Sequence, residues 1–491
     1  MMRAAGDGGK ISGSGRVVTA GFGYGFATLE NPSWSLHDIL LATGGRLAAG
    51  KAHAGFRCIS TDSRTVKPGD IFLALAGENY DGMAFVDDAV KNGAAGIIVN
   101  EPQPDLSLPV VVVSDTLAAL GDLAAYRRAN RRDLKVLAVT GSSGKTTVKD
   151  MAAAILAKRG RVIKTRKNFN NLVGLPLSLL PVSYCHDFAV LEMGMNAPGE
   201  IARLTEIADP DIACINNIHP AHLAGLGSIN GVASAKGELF AHSRTSTILV
   251  VNIDDPMVRR LARNSKSKMI SFGRRRGAAV RATHIHNDGV LGSSFTLHIA
   301  NEKIRLRLGA LGEHNILNSL AAAAMAWAAG ADIVQIAARL TKFTPAKDRL
   351  QFMELANGLR LVNDSYNANP ASMRAAMTAV QRLGKGEQCI AVLGDMLELG
   401  KFSTEAHAQI GEAAASQGFS YLLAVGDYAK TMAAAARKAG MKKDRAMAFT
   451  VKEDAAACLQ KLLAAGLLTA GDLLLLKGSR GMKMEKIIGM L

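Results

Sequence analysis

Hydrophobic positions along this chain change their spacing several times, and each change predicts a different element. Ile71–Leu75 and Gly96–Val99 are short, continuous apolar runs, as buried strands are. A turn-rich stretch, Thr61-Asp62-Ser63-Arg64 through Pro68-Gly69-Asp70, precedes the first run. Between the runs, Phe85, Ala89 and Val90 keep helical spacing. From Leu134 the pattern turns regular. A strand at Val136–Val139 meets a glycine-containing loop, and Val148, Met151, Ile155 and Leu156 mark the helix that follows. Apolar runs at Phe188–Met193, Asp211–Ile215 and Ile248–Val251 continue the alternation, which predicts a parallel sheet covered on both faces. Residues 278–308 differ: turn signals at Asn287-Asp288-Gly289 and Asn301-Glu302 separate alternating runs and predict an antiparallel hairpin.

A third unit starts near Thr344-Pro345, with two strands flanking the turn Ala356-Asn357-Gly358. Strands at Ile390–Leu393, Leu422–Val425 and Leu473–Leu476, each followed by a helical stretch, predict a second doubly wound sheet. The expectation is a three-domain α/β protein: a small α/β domain at 31–133, a central doubly wound parallel sheet with an antiparallel appendage at 134–343, and a Rossmann-like domain at 344–491. Residues 1–30, Gly-rich and without a Leu-rich core, are expected to be a disordered extension rather than a signal peptide.

Composition narrows the function. At 491 residues the chain exceeds one core, and 48% hydrophobic with 20% charged residues is ordinary for a folded soluble protein. The net charge of +16 is spread along the chain, with short clusters only at 127–132 and 274–276. No basic stripe interleaved with aromatics appears, so anionic small molecules are a better match than nucleic acid. Five scattered cysteines (58, 185, 214, 389 and 458) form no metal or disulfide pattern and are expected to be reduced, mostly buried residues. The Ala-rich run at 319–331 follows polar Glu313, His314 and Asn315, so it predicts a buried helix and no membrane insertion.

The strongest chemical signal is Thr140-Gly141-Ser142-Ser143-Gly144-Lys145-Thr146-Thr147, between a strand and a helix. This is a phosphate loop: the glycines let backbone N–H groups approach phosphate oxygens, and the helix N-terminus adds positive charge. Lys145 is expected on the β- and γ-phosphates, and the Thr146 hydroxyl on Mg²⁺. Only Ser142 and Ser143 separate the glycines, whereas the common loop has four residues there. Glu192 ends a predicted strand, which places a carboxylate at the sheet edge where open α/β folds bind ligands.

The two-residue loop resembles that of the Mur ligase family and its folylpolyglutamate synthetase relatives. Other segments follow the family's order: Asn168-Phe169-Asn170-Asn171 with Gly174-Leu175-Pro176, then Glu192-Met193-Gly194, then Asn216-Asn217-Ile218-His219-Pro220-Ala221-His222, then Ala235-Lys236-Gly237-Glu238. The resemblance spans nearly all of the chain after residue 31 and implies an ATP-dependent, amide-forming ligase working through an acyl phosphate. It implies that Glu192 and His222 hold Mg²⁺ with Thr146, that Lys145, His222 and Lys236 are catalytic, and that Asn315 lies near adenine. Several members carbamylate the lysine matching Lys236; the alternative is an unmodified lysine pairing with Glu238 or a phosphate. Arg349 and Asp364 would meet ATP from the third domain. His219 is expected to be structural.

Three segments select a branch. Asp62-Ser63-Arg64 with Gly69-Asp70 and Asp81-Gly82 is similar to the family's uridine-binding domain, although Met83 and Asn100 differ from its usual pattern. Asp364 to Pro370, Gly394-Asp395-Met396-Leu397-Glu398-Leu399-Gly400 and Lys477-Gly478-Ser479-Arg480 resemble the branch that adds the final dipeptide. The implied substrates are ATP, UDP-N-acetylmuramoyl-tripeptide and D-alanyl-D-alanine, with Ser63, Arg64, Asn168, Asn171, Asn367, Asn369, Lys477, Ser479 and Arg480 binding them. A cytoplasmic monomer in peptidoglycan synthesis is the matching expectation. The rival readings are a relative adding a single amino acid, a nucleic-acid-stimulated ATPase and a non-catalytic nucleotide-binding module. The loop spacing and the joint presence of Lys145, Glu192 and His222 weigh against the last two.

Overall fold

The protein, as a computed structural model, is described over residues 34–77, 80–103, 105–221, 223–384 and 386–491. The expected extension at 1–30 and His222 lie outside the described residues. Three large sheets organise the chain. The first has five strands in the order Arg46–Ala49, Val110–Val112, Gly96–Val99, Ile71–Leu73 and Ile59–Ser60, antiparallel only at its first pair. Its last helix, Thr116–Ala129, begins under an Asp115 cap and packs against Glu200–Ala208 of the central unit. Residues of both units belong to one apolar cluster, from Trp34 and Leu123 to Leu204 and Ile207.

The basic cluster at 127–132 is largely internal. Buried Arg128 donates to the carbonyls of Arg131 at 2.8 Å, Leu134 at 3.1 Å and Asp209 at 3.0 Å, and to Asp211 Oδ2 at 3.1 Å. Buried Arg131 pairs with Asp133 and donates to the His186 carbonyl. These arginines pin the segment between the first two units, so they do not form a surface for a polyanion.

The central sheet has nine strands. Their order is Val162–Lys164, Phe188–Glu192, Lys135–Thr140, Ile212–Ile215, Ile248–Asn252, Met269–Gly273, Val280–Asn287, Ser293–Ile299 and Glu302–Leu308. The first seven run parallel and the last two antiparallel. The antiparallel appendage is therefore continuous with the parallel sheet, joined through Phe272 opposite Val280 and Gly273 opposite Arg281. The Ala-rich segment forms the helix Glu313–Ala328, buried against the phosphate-loop helix as its composition predicts.

The third sheet runs Gln351–Glu354, Arg360–Asp364, Leu473–Lys477, Cys389–Gly394, Tyr421–Val425 and Ala446–Phe449, parallel except at its first pair. It meets the central unit in several places. Glu313 accepts from Arg274 at 3.0 Å and also pairs with Arg382 of the third unit, and Ala224 N donates to Glu398 O at 3.2 Å. All five cysteines are free. Cys214 and Cys389 are buried as expected, but Cys58 and Cys185 are exposed, so burial is not their common property.

Candidate active site

The phosphate loop forms where the strand Lys135–Thr140 ends, at the point where the strand order of the parallel sheet reverses. Gly144 has φ 76°, and a Cβ there would lie 2.2 Å from Asn318 Oδ1, so this position admits only glycine. The helix Lys145–Leu156 follows directly, its N-terminus facing the loop. Lys145 turns back and donates from Nζ to the Gly141 carbonyl at 2.8 Å. Burial pushes its ammonium pKa down, opposed by Glu192 and reinforced by Arg349.

Asparagines hold this loop from behind. Asn217 Oδ1 accepts from Ser143 N at 2.9 Å, and Ser142 exchanges bonds of 2.8 and 2.9 Å with the His219 backbone. Asn216 Nδ2 donates to Ser143 O at 3.0 Å and to Asn318 Oδ1 at 2.9 Å. Asn318 Nδ2 then donates to Asn315 Oδ1 at 2.9 Å. Asn315 thus ends an amide chain reaching the phosphate loop. The sequence displayed Asn216 and Asn217 after a strand, but only the fold shows them, with Asn318, supporting it.

A polar corner lies beside the loop. Thr146 Oγ1 donates to Glu192 Oε2 at 2.7 Å, and Asn170 Nδ2 donates to Glu192 Oε1 at 2.8 Å. Glu192 is 3% exposed, with the buried Lys149 ammonium 3.8 Å from Oε2. Arg349 reaches across from the third unit: Nη2 donates to Thr146 Oγ1 at 2.9 Å while the guanidinium stacks 4.0 Å from the Tyr366 ring. A hydroxyl beside a carboxylate is a hard oxygen pair that fits Mg²⁺, which keeps water and phosphate oxygens as its other ligands. No group of three or more His, Cys, Asp or Glu side chains that could hold a metal occurs among the described residues. Asn170, between the expected Asn168 and Asn171, is the asparagine that reaches this corner. Asn168 is exposed, and Asn171 accepts from Gly174 N at 2.9 Å to start the next helix.

Lys236 projects from the helix Ile229–Ala241 and is 0% exposed. Its Nζ lies 3.3 Å from Met195 Sδ, a weak acceptor. Burial, followed by repulsion from Lys145, drives its pKa well below the ordinary lysine value. Glu238, two residues on, is engaged elsewhere, accepting from Gly199 N at 2.8 Å and Ala202 N at 3.0 Å.

In the third unit the branch-selecting segments converge on the carboxyl edge of the sheet. Lys477 Nζ donates to Asp364 Oδ2 at 2.5 Å and to Asn367 O at 2.8 Å, and Asp364 Oδ1 accepts from Leu350 N at 3.1 Å. Asp364 therefore braces the segment carrying Arg349 through contacts within its own unit. Asn369 caps the helix Pro370–Leu383 and also reaches Ser142 O at 3.4 Å. Ser479 N donates to Asp395 O at 3.0 Å. Arg480 remains exposed beside Glu485. Far from this region, Ser63 is buried in the first unit and exposed Arg64 pairs with Asp62 at 2.8 Å. A cavity of about 410 Å³ opens between the hairpin and the helix Pro370–Leu383, lined by His286, Glu313, His314 and Arg382 among others.

The sequence matches the Mur ligase family, catalytic domain, at residues 56–128, the Mur ligase middle domain at 139–326, and the Mur ligase, glutamate ligase domain, at 348–480. It is 37% identical over 432 residues to UDP-N-acetylmuramoyl-tripeptide--D-alanyl-D-alanine ligase of Escherichia coli (strain K12), covering 88% of this chain and 92% of that one. The crystal structure of MurF from Acinetobacter baumannii superposes with a TM-score of 0.86 at 35% identity, covering 93% and 98% of the two chains. The MurF ligase from Thermotoga maritima in complex with ADP gives a TM-score of 0.77 at 28% identity, covering 88% and 96%.

Proposed function

The chain belongs to the Mur ligase family, and from that premise we propose that it joins D-alanyl-D-alanine to the terminal carboxylate of UDP-N-acetylmuramoyl-tripeptide, cleaving ATP to ADP and phosphate. The observation that carries this reading is the convergence of Asp364, Lys477, Ser479 and Asp395 on one sheet edge, joined to the phosphate loop by the bond from Arg349 to Thr146.

The reaction needs two displacements. A tripeptide carboxylate oxygen attacks the γ-phosphorus, giving an acyl phosphate and ADP. The dipeptide nitrogen then attacks the acyl carbon, loses a proton, and the tetrahedral intermediate expels phosphate. Both steps concentrate negative charge, which Lys145 and Arg349 are placed to stabilise from opposite units. Mg²⁺ held by Thr146 and Glu192, with His222, would supply further positive charge to the phosphates. The amide chain from Asn315 through Asn318 and Asn216 keeps the loop backbone preorganised. Contact between the units excludes water that would hydrolyse the acyl phosphate.

The finer assignments belong to the same reading. The first unit, with Ser63 and Arg64, takes the UDP end, the central unit ATP, and the third unit the dipeptide. Asn168 and Asn171 flank the tripeptide path, while Asn367, Asn369, Lys477, Ser479 and Arg480 surround the amine. Lys236 is carbamylated: a buried lysine with a depressed pKa offers the neutral amine that adds CO₂, releases a proton, and becomes a carbamate with oxygen donors. The protein works as a cytoplasmic monomer, and no helix among the described residues is long and apolar enough to cross a membrane. Supplying UDP-linked tripeptide and ATP with either D-alanyl-D-alanine or single amino acids tests the reading. Pentapeptide product from the dipeptide alone supports it, and preference for a single amino acid overturns it.

A further inference from the structure

The turn Asp395–Gly400 follows the strand Cys389–Gly394 and runs from the third unit's crevice to the central unit. Ser479 Oγ accepts from Leu397 N at 2.9 Å at the crevice end. At the other end Glu398 O receives the Ala224 N–H, and Gly400 lies so near Ala224 that a Cβ added there would sit 3.2 Å from its Cα. Glu398 has φ 66°, a backbone state that a non-glycine residue keeps only under constraint from its surroundings. The turn is irregular, so its shape depends on such tertiary contacts. Leu397, 46% exposed, packs beside Gly481, which follows Arg480 in the chain; an apolar side chain and a nearby guanidinium suit a small dipeptide with apolar side chains and a free carboxylate.

One buried side chain grips this turn from below. His407, on the helix Ser403–Ser416, is 0% exposed. Its Nε2 accepts from Met396 N at 2.8 Å, and its Nδ1 lies 2.6 Å from the Ser403 carbonyl. A carbonyl can only accept and a backbone N–H can only donate. The ring must therefore be neutral, with its proton on Nδ1. It stacks on Tyr428 with centroids 4.4 Å apart. The charged group facing it is Asp395, whose Oδ1 is 3.8 Å from Nε2 and whose carboxylate already accepts from Asp427 N at 2.7 Å and Tyr428 N at 3.2 Å. A second proton would set an N–H on Nε2 against the N–H of Met396.

We propose that His407 is a positioning residue for the amine substrate, its neutral imidazole holding the Asp395–Gly400 turn in the shape that joins the dipeptide crevice to the central unit. This rests on the reading of that crevice as the dipeptide site. Burial lowers the His407 pKa, with Ser403 and Asp395 opposing the shift. The sign follows: when the held state prefers the neutral ring, a released turn binds more protons. The held state then loses stability as pH falls below the free histidine value of about 6.5.

The test measures KM for all three substrates with the full chain across that pH range. His407→Phe removes the acceptor, whereas His407→Gln keeps one that does not titrate. His407→Phe should raise the dipeptide KM about tenfold, leaving the KM for ATP and for the UDP-linked tripeptide unchanged. His407→Gln should keep a near-normal dipeptide KM and lose its rise at acid pH. Equal rises in all three constants, or an unchanged acid rise in His407→Gln, would overturn the inference while leaving the proposed function intact. If His407→Phe does not fold, the His407→Gln pH profile decides alone. Wild-type turnover that ignores the dipeptide would overturn the proposed function, and this inference with it.

Discussion

Arg349 of the third unit donates a hydrogen bond to the hydroxyl of Thr146, 2.9 Å away on the phosphate-loop helix of the central unit. The Cζ of the same guanidinium lies 4.0 Å from the centre of the Tyr366 ring, a second contact that directs it. Arg349→Ala should lower kcat by about 10²–10³ through loss of charge aimed at the transferred phosphate. Arg349→Lys should recover only part, because an ammonium neither stacks nor forks as a guanidinium does. Small-angle scattering should show the alanine variant more extended than wild type with an ATP analogue and UDP-linked tripeptide. Identical profiles and near-normal turnover would remove Arg349 from the mechanism.

Lys236 makes an opposite prediction for stability and activity. Its folded pKa lies below its unfolded value, so the unfolded chain binds more protons and stability rises with pH. In bicarbonate-free buffer at pH 7, Lys236→Met should have a higher Tm than wild type. The difference should shrink as pH approaches the free lysine value of about 10.4. The variant should also be inactive. Lys236→Ala should regain some turnover with short carboxylates, which replace the carbamate oxygens. A Tm below wild type with no such rescue would argue for an ordinary structural lysine.

Much of this fold was legible in the sequence because parallel, doubly covered strands are continuous apolar runs, as at Phe188–Glu192 and Cys389–Gly394. The attachment of the hairpin was not legible, since it rests on the two residue pairs Phe272–Val280 and Gly273–Arg281. The phosphate loop declared itself because its chemistry is contiguous. Its supports did not. Asn216 meets Asn318 across 102 positions, just as Lys477 meets Asp364 across 113 within the third unit. The contact of Asn170 with Glu192 was not legible for a local reason: the segment is an irregular turn, where no period says which side chain faces Glu192.

Arg128 tests how the first unit is fixed to the second. Truncation would leave the buried Arg131 and Leu134 carbonyls, and the part-buried Asp209 carbonyl, without this donor. Arg128→Ala should cost about 2–4 kcal/mol and lower Tm by several degrees. The KM for ATP, measured well below that transition, should stay unchanged. An unaltered Tm would mean that the apolar contacts between the helices at Thr116–Ala129 and Glu200–Ala208 hold the interface alone.

The central claim is that the tripeptide carboxylate is activated as an acyl phosphate at the loop carrying Lys145. Tripeptide labelled with oxygen-18 in its terminal carboxylate, turned over with ATP and D-alanyl-D-alanine, tests it most directly. The carboxylate oxygen that attacks the γ-phosphorus must leave with it, so mass spectrometry of the released phosphate should find one labelled oxygen per product amide formed, and Lys145→Ala should suppress both together. Unlabelled phosphate accompanying normal amide formation would contradict the mechanism.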